Sequence, residues 1–112
     1  MPTKVYSCPV HSVMDVIAGK WKIAIVYHLM EGPLGFGALT RKIPWCSERV
    51  LSQHLRELCE DGLLLRKSLG GNPPRVEYSL TEHGRELAPA LSELMRWGDR
   101  HVARSQTILD SP

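Results

Sequence analysis

The chain has 112 residues, of which 43% are hydrophobic and 23% charged, with a formal net charge of +2. That length suits one domain, spanning residues 1–112, and the balance is ordinary for a soluble globular protein; three cysteines, Cys8, Cys46 and Cys59, are too few for a disulfide scaffold and are expected as free thiols. No apolar run reaches the roughly 18 residues of a membrane span, and the opening MPTKVYSCPVHS lacks a signal-peptide core, so a cytoplasmic protein with no membrane partner is expected.

The predicted elements follow glycine and proline. Residues Pro9 to Ala18 place Val10, Val13, Met14 and Ile17 at helical spacing, with Pro9 in the first turn and Gly19 as the stop. Lys20 to Glu31, KWKIAIVYHLME, is apolar nearly all round, as a helix buried on most sides would be. Phe36 to Ile43 predicts a short third helix closed by Pro44. Ser47 is a suitable N-cap for a fourth helix running to about Asp61, with Gly62 as terminator. LLLRKSL and RVEYSL then predict a hairpin joined through GGNPP. Thr81 can cap a last helix from Glu82 to about Arg104, with Pro89 expected to kink or split it, and a frayed tail over about 105–112. The fold expected is mainly α with a small β-hairpin: a winged helix-turn-helix.

Within SERVLSQHLREL, Val50, Leu51, Leu55 and Leu58 fall on one side of the fourth helix and Arg49, Ser52, Gln53 and Arg56 on the other, with Glu60 near them. A polar helix face is most often only a solvated one. Here a hairpin follows directly, and the residue types are those that reach base edges in the major groove: long donors for guanine, an amide for adenine, a small hydroxyl for close approach. His54, at the edge of the apolar side, is expected to pack or cap. Arg66, Lys67 and Arg75 flank the glycine-rich hairpin tip with no acid between residues 66 and 75, and Arg41 and Lys42 end the third helix; all can pair with phosphates. The DNA-binding set is thus Arg41, Ser47, Arg49, Ser52, Gln53, Arg56, Lys67 and Arg75.

The last helix carries Leu87, Leu91, Leu94 and Gly98 down one side, with Ala90, Trp97 and His101 alongside. The first two helices already offer enough apolar surface to cover the fourth, so the surplus implies a homodimer formed through the N- and C-terminal helices. Such a dimer sets its reading helices about one DNA turn apart, near 34 Å, and favours a palindromic operator.

The runs CPVHSVMDVIAGKWKIAIVYHL, VLSQHLRELCEDGLL and PPRVEYSLTEHGREL, in this order, resemble the HxlR-type family of winged helix-turn-helix transcription regulators, relatives of the MarR group, over about residues 8–97. The resemblance implies a homodimer built from the terminal helices, DNA reading by the fourth helix and a wing in or over the minor groove. The chain departs from the family where LGFG, at Leu34 to Gly37, replaces a usual basic residue, and where Cys46 and Cys59 stand. The resemblance also points to Cys8, in the family's "CP" position, as a sensor of oxidants or electrophiles, because a helix N-terminus favours the thiolate that such reagents attack. Cys46, ahead of the fourth helix, is the second choice, and Cys59 is expected to be packed. The expected regulator is a repressor that such a reagent releases from double-stranded DNA.

Two other readings stay open. One is a winged-helix protein-interaction module without DNA binding, against which Arg49, Gln53 and Arg56 argue. The other is a metal-responsive regulator using Cys8 and His11, three residues apart, which would need ligands from a second subunit. No nucleophile–base–acid set and no phosphate-cradling loop is present, so neither an enzyme nor a cofactor is expected.

Overall fold

The computed structural model describes residues 8–110, and side chains as far as residue 105. In chain order it contains α1 (Pro9–Ile17), α2 (Lys22–Leu29), β1 (Leu34–Gly35), α3 (Phe36–Lys42), α4 (Glu48–Glu60), β2 (Leu64–Gly70), β3 (Arg75–Leu80), α5 (Glu82–Glu86) and α6 (Ala88–Asp110). The expected order of helices and hairpin is present. The hairpin gains a third strand: β1 pairs antiparallel with β3, Leu34 opposite Tyr78 and Gly35 opposite Glu77, so the sheet runs β1-β3-β2.

The core is built around α2. Its Ile25, Val26 and Leu29 meet Leu39 and Ile43 at the end of α3, Leu51, Leu55 and Leu58 of α4, Leu63 and Leu64 leading into β2, Leu80 of β3 and Leu91 of α6. The sequence expectation that the first two helices together cover the fourth is corrected here. No residue of α1 is fully buried; Val16 packs against the core while Val10, Val13 and Met14 are exposed. Covering falls to α2, although its Tyr27 is exposed, so it is less buried all round than its composition suggests.

Two glycines mark close approaches. A Cβ on Gly19, just before α2, would come within 2.6 Å of the His54 ring of α4. A Cβ on Gly84 in α5 would come within 2.3 Å of the Leu63 carbonyl oxygen. Thr81 secures the same junction: its backbone N–H donates to the Leu63 carbonyl at 2.9 Å, its hydroxyl donates to the Gly62 carbonyl at 2.6 Å, and its Oγ1 accepts from the Gly84 N–H at 2.9 Å. This ties the last helices to the base of the wing.

Pro89 divides the C-terminal helical segment as expected. α5 stops at Glu86, and α6 starts at Ala88 with Pro89 in its first turn, where a missing N–H costs nothing. Over the expected tail the helical backbone of α6 continues to Asp110, and nothing between Gly98 and Asp110 breaks a helix. The last two residues of that tail lie outside the described residues. The expected leucine stripe also divides. Leu91 is buried and Leu87 half-buried against this chain's own core, whereas Leu94, Trp97 and Val102 stay exposed.

Candidate nucleic-acid interface

α4 follows a tight turn after α3, and Ser47 starts it as the sequence implies: its Oγ accepts a hydrogen bond from the Val50 N–H at 3.2 Å. Leu51, Leu55 and Leu58 are wholly buried beneath it, with Val50 half-buried at the margin. A helix pinned along that line turns its opposite side outward. Arg49, Ser52, Gln53 and Arg56 are all exposed there, and Arg49, Gln53 and Arg56 share one shallow groove with Glu57 and Glu60.

Glu57 has a partner that the α4 pattern does not reveal. Lys22 of α2 is buried, and its Nζ donates to Glu57 Oε2 at 3.0 Å. The lysine hydrogen bond holds the Glu57 carboxyl below its ordinary pKa, against an opposing push from burial. A lone lysine in a helix that is otherwise apolar was the available signal, since a buried ammonium requires a counter-charge. His54 packs at the margin as expected; its Nδ1 is buried without a hydrogen-bond partner, 3.8 Å from Glu57 Oε1. Because the folded-state pKa of Glu57 is depressed, its pairing stabilises the fold fully above the usual carboxylate value of 4.5 and is lost as pH falls through the lower folded value. Lys22→Met should therefore flatten the acid limb of a stability-versus-pH curve. A limb identical to wild type would contradict this.

The wing brings together residues from three elements. Arg41 at the end of α3, Arg66 of β2 and Arg75 of β3 line one cleft, with Leu69, Tyr78 and Glu77. Its tip turns at Gly70 and Gly71, both with positive φ. Lys67 does not line this cleft. The register sets it opposite Glu77, so an acid faces the lysine even though none lies between residues 66 and 75 along the chain. Lys42 lies beside His28, whose imidazole is held below its ordinary pKa by burial and by the lysine charge.

The three thiols differ in access. Cys8 is the exposed N-cap residue of α1. Cys46 does not stand open at the α4 terminus as expected: it belongs to the core, 6% exposed, its Sγ lies 3.5 Å from the Ser47 carbonyl oxygen, and burial pushes its thiol pKa up. Burial raises the Cys59 thiol too, and its half-buried place against the core is the packing expected of it. Among the described residues no group of three or more His, Cys, Asp or Glu side chains is arranged to hold a metal ion, and no helix is long and apolar enough to cross a membrane.

A helix-turn-helix backed by a three-stranded wing defines the class as a winged helix-turn-helix protein. The family model described as HxlR-like helix-turn-helix matches residues 16–106, and the chain belongs to that family. Two Bacillus subtilis relatives are described as uncharacterized HTH-type transcriptional regulators. YkvN is 46% identical over 95 residues, 85% of this chain and 80% of the relative. YdeP is 41% identical over 97 residues, 87% of this chain and 76% of the relative. Among solved structures, the redox regulator HypR in its oxidized form aligns with a TM-score of 0.79 at 43% identity, covering 83% of this chain and 96% of that one. The reduced form of the transcriptional regulator YodB from B. subtilis aligns with a TM-score of 0.72 at 32% identity, covering 85% and 94%. The chain is accordingly a helix-turn-helix transcriptional regulator and not an enzyme.

Proposed function

We propose that the chain acts as a sequence-specific homodimeric repressor in the compartment that holds the DNA, the cytoplasm, reading a palindromic operator with α4. The observation that carries this reading is the exposed set Arg49, Ser52, Gln53 and Arg56, held outward by three buried leucines. In the proposed complex those side chains reach bases and adjacent phosphates, and Arg41, Arg66 and Arg75 hold the backbone from the wing cleft. Ser47, already engaged as the helix cap, contributes through the helix terminus it forms, and Lys67 makes a weaker contact because Glu77 faces it. A mobility-shift assay on the full chain, with the intergenic duplex beside its own coding region, tests the reading. Steeply salt-dependent retardation supports it; no retardation at low salt contradicts it.

The dimer is supported by exposed apolar residues on the two terminal helices: Val10, Val13 and Met14 on α1, and Leu94, Trp97 and Val102 on α6. Sedimentation should show a species of twice the 12.6 kDa chain mass, and Trp97→Asp should shift it to the single chain. A wild-type monomer at micromolar concentration would contradict the dimer.

Cys8 is the proposed sensor, since it is the exposed thiol of the three. With a hydroperoxide, the Cys8 sulfur displaces alkoxide: an S–O bond forms, the O–O bond breaks, and sulfenic acid and an alcohol result. With an unsaturated carbonyl electrophile, sulfur bonds to the β-carbon and solvent supplies a proton to the α-carbon. The described forms of HypR and of YodB, the latter also known diamide-treated, support this reading by similarity. Diamide should release wild-type protein from the duplex and leave Cys8→Ser bound. Equal release of both would exclude Cys8.

A further inference from the structure

The turn between α3 and α4 carries a feature that the DNA-reading set leaves out. Trp45 is 80% exposed, more than any other large apolar side chain among the described residues. Tryptophan is on average highly buried, and its indole N–H calls for an acceptor. The backbone beneath it is fixed. Ile43 and Cys46, on either side, are 2% and 6% exposed, the Cys46 N–H donates to the Ile43 carbonyl at 3.1 Å, and Pro44 occupies the second position of that turn. Pro44 pre-sets its own φ, so little backbone freedom remains to be lost when the ring meets a partner.

Its surroundings decide which partner. Apart from Pro44, the exposed residues around Trp45 in the chain are polar or charged: Arg41 and Lys42 before it and Ser47, Glu48 and Arg49 after it. The other exposed large apolar residues lie mostly on α1 and α6, with Tyr27 on α2 and Leu65 and Leu69 on β2, and none of them flanks Trp45 in the chain. In a helix-turn-helix, the N-terminal residues of the second helix meet the base edges, so the turn just before them is carried to the rim of the groove. We infer that Trp45 is a further DNA contact, its ring lying on the deoxyribose and base edge at the groove rim and its Nε1–H donating to a backbone phosphate. This rests on the proposal that α4 enters a duplex, and it adds an uncharged anchor to the cationic ones.

The test uses the full chain with sheared mixed-sequence genomic duplex at low salt. The difference in emission between wild type and Trp45→Phe isolates the Trp45 indole. DNA should quench that difference and lower its accessibility to acrylamide. Trp45→Ala should weaken retardation about tenfold, and Trp45→Phe, which keeps a ring but loses the donor, about threefold. The emission difference depends only on the mild Phe variant, so it holds even if the Ala variant folds less well. If wild type is retarded while Trp45→Ala binds equally and the emission difference is unchanged, Trp45 is no contact and α4 reading stands. If wild type binds no duplex, α4 reading fails and Trp45 with it. If Trp45→Ala instead changes the sedimenting mass of the free protein, the ring belongs to an interface between copies and the inference is overturned.

Discussion

Alanine at Arg49 or Gln53 is expected to weaken operator binding by about 1–3 kcal/mol, roughly five- to 150-fold, and to relax preference at the base each side chain meets. Both residues are exposed on a helix whose other side is locked in the core, so truncation removes contacts to DNA without opening a cavity. Base preference separates the two kinds of contact. Arg75→Ala, on the wing, should weaken all sequences about equally and lower the salt slope by about one. Mobility shifts with single-base-substituted duplexes measure this. Wild-type affinity and preference in both α4 variants would remove Arg49 and Gln53 from the reading surface.

Gly84→Ala is expected to cost the fold about 1–3 kcal/mol or more. The new Cβ would stand 2.3 Å from the Leu63 carbonyl oxygen, with the Leu63 carbonyl carbon at 3.2 Å and Leu80 Cδ2 at 3.3 Å. Backbone cannot swing aside as a side chain can, and this carbonyl already accepts the Thr81 N–H at 2.9 Å. Relief requires α5 to lift from the base of the wing, where Leu63 and Leu80 are buried in the core. Gly62→Ala is the useful contrast: nothing lies within 4 Å of its would-be Cβ, but its φ of +80° makes the strain conformational. Thermal unfolding at fixed protein concentration checks the prediction, which fails if Gly84→Ala melts with wild type.

The sequence carried α4 almost completely, because a leucine period against an arginine–glutamine face is a local signal along one helix. The wing was legible for the same reason, through the alternation of RVEYSL and a glycine tip. The features it did not carry are those in which distant segments meet. A two-residue strand such as Leu34–Gly35 has no period to detect, and it exists only because β3 offers a free edge. Lys22 and Glu57 are 35 residues apart, so neither predicts the other, although a lysine amid KIAIVYHL invited a search for an acid. Glu77 faces Lys67 by register alone, which weakens a phosphate contact that chain order favoured. Cys46 is the second choice of sensor from the sequence because it precedes a helix, but its side chain is part of the core. Gly19 reads as a helix stop and Gly84 falls unmarked within the last predicted helix; packing makes both sites of close approach.

The outward side of α4, with the wing, is the surface proposed to meet duplex DNA. Amide chemical shifts of the full chain, followed as the intergenic duplex is added, measure that surface residue by residue. Large shifts are expected over residues 45–56 and 66–75, with α1 and α6 nearly unmoved. Shifts confined to α1 and α6, with α4 silent at saturating DNA, would contradict this.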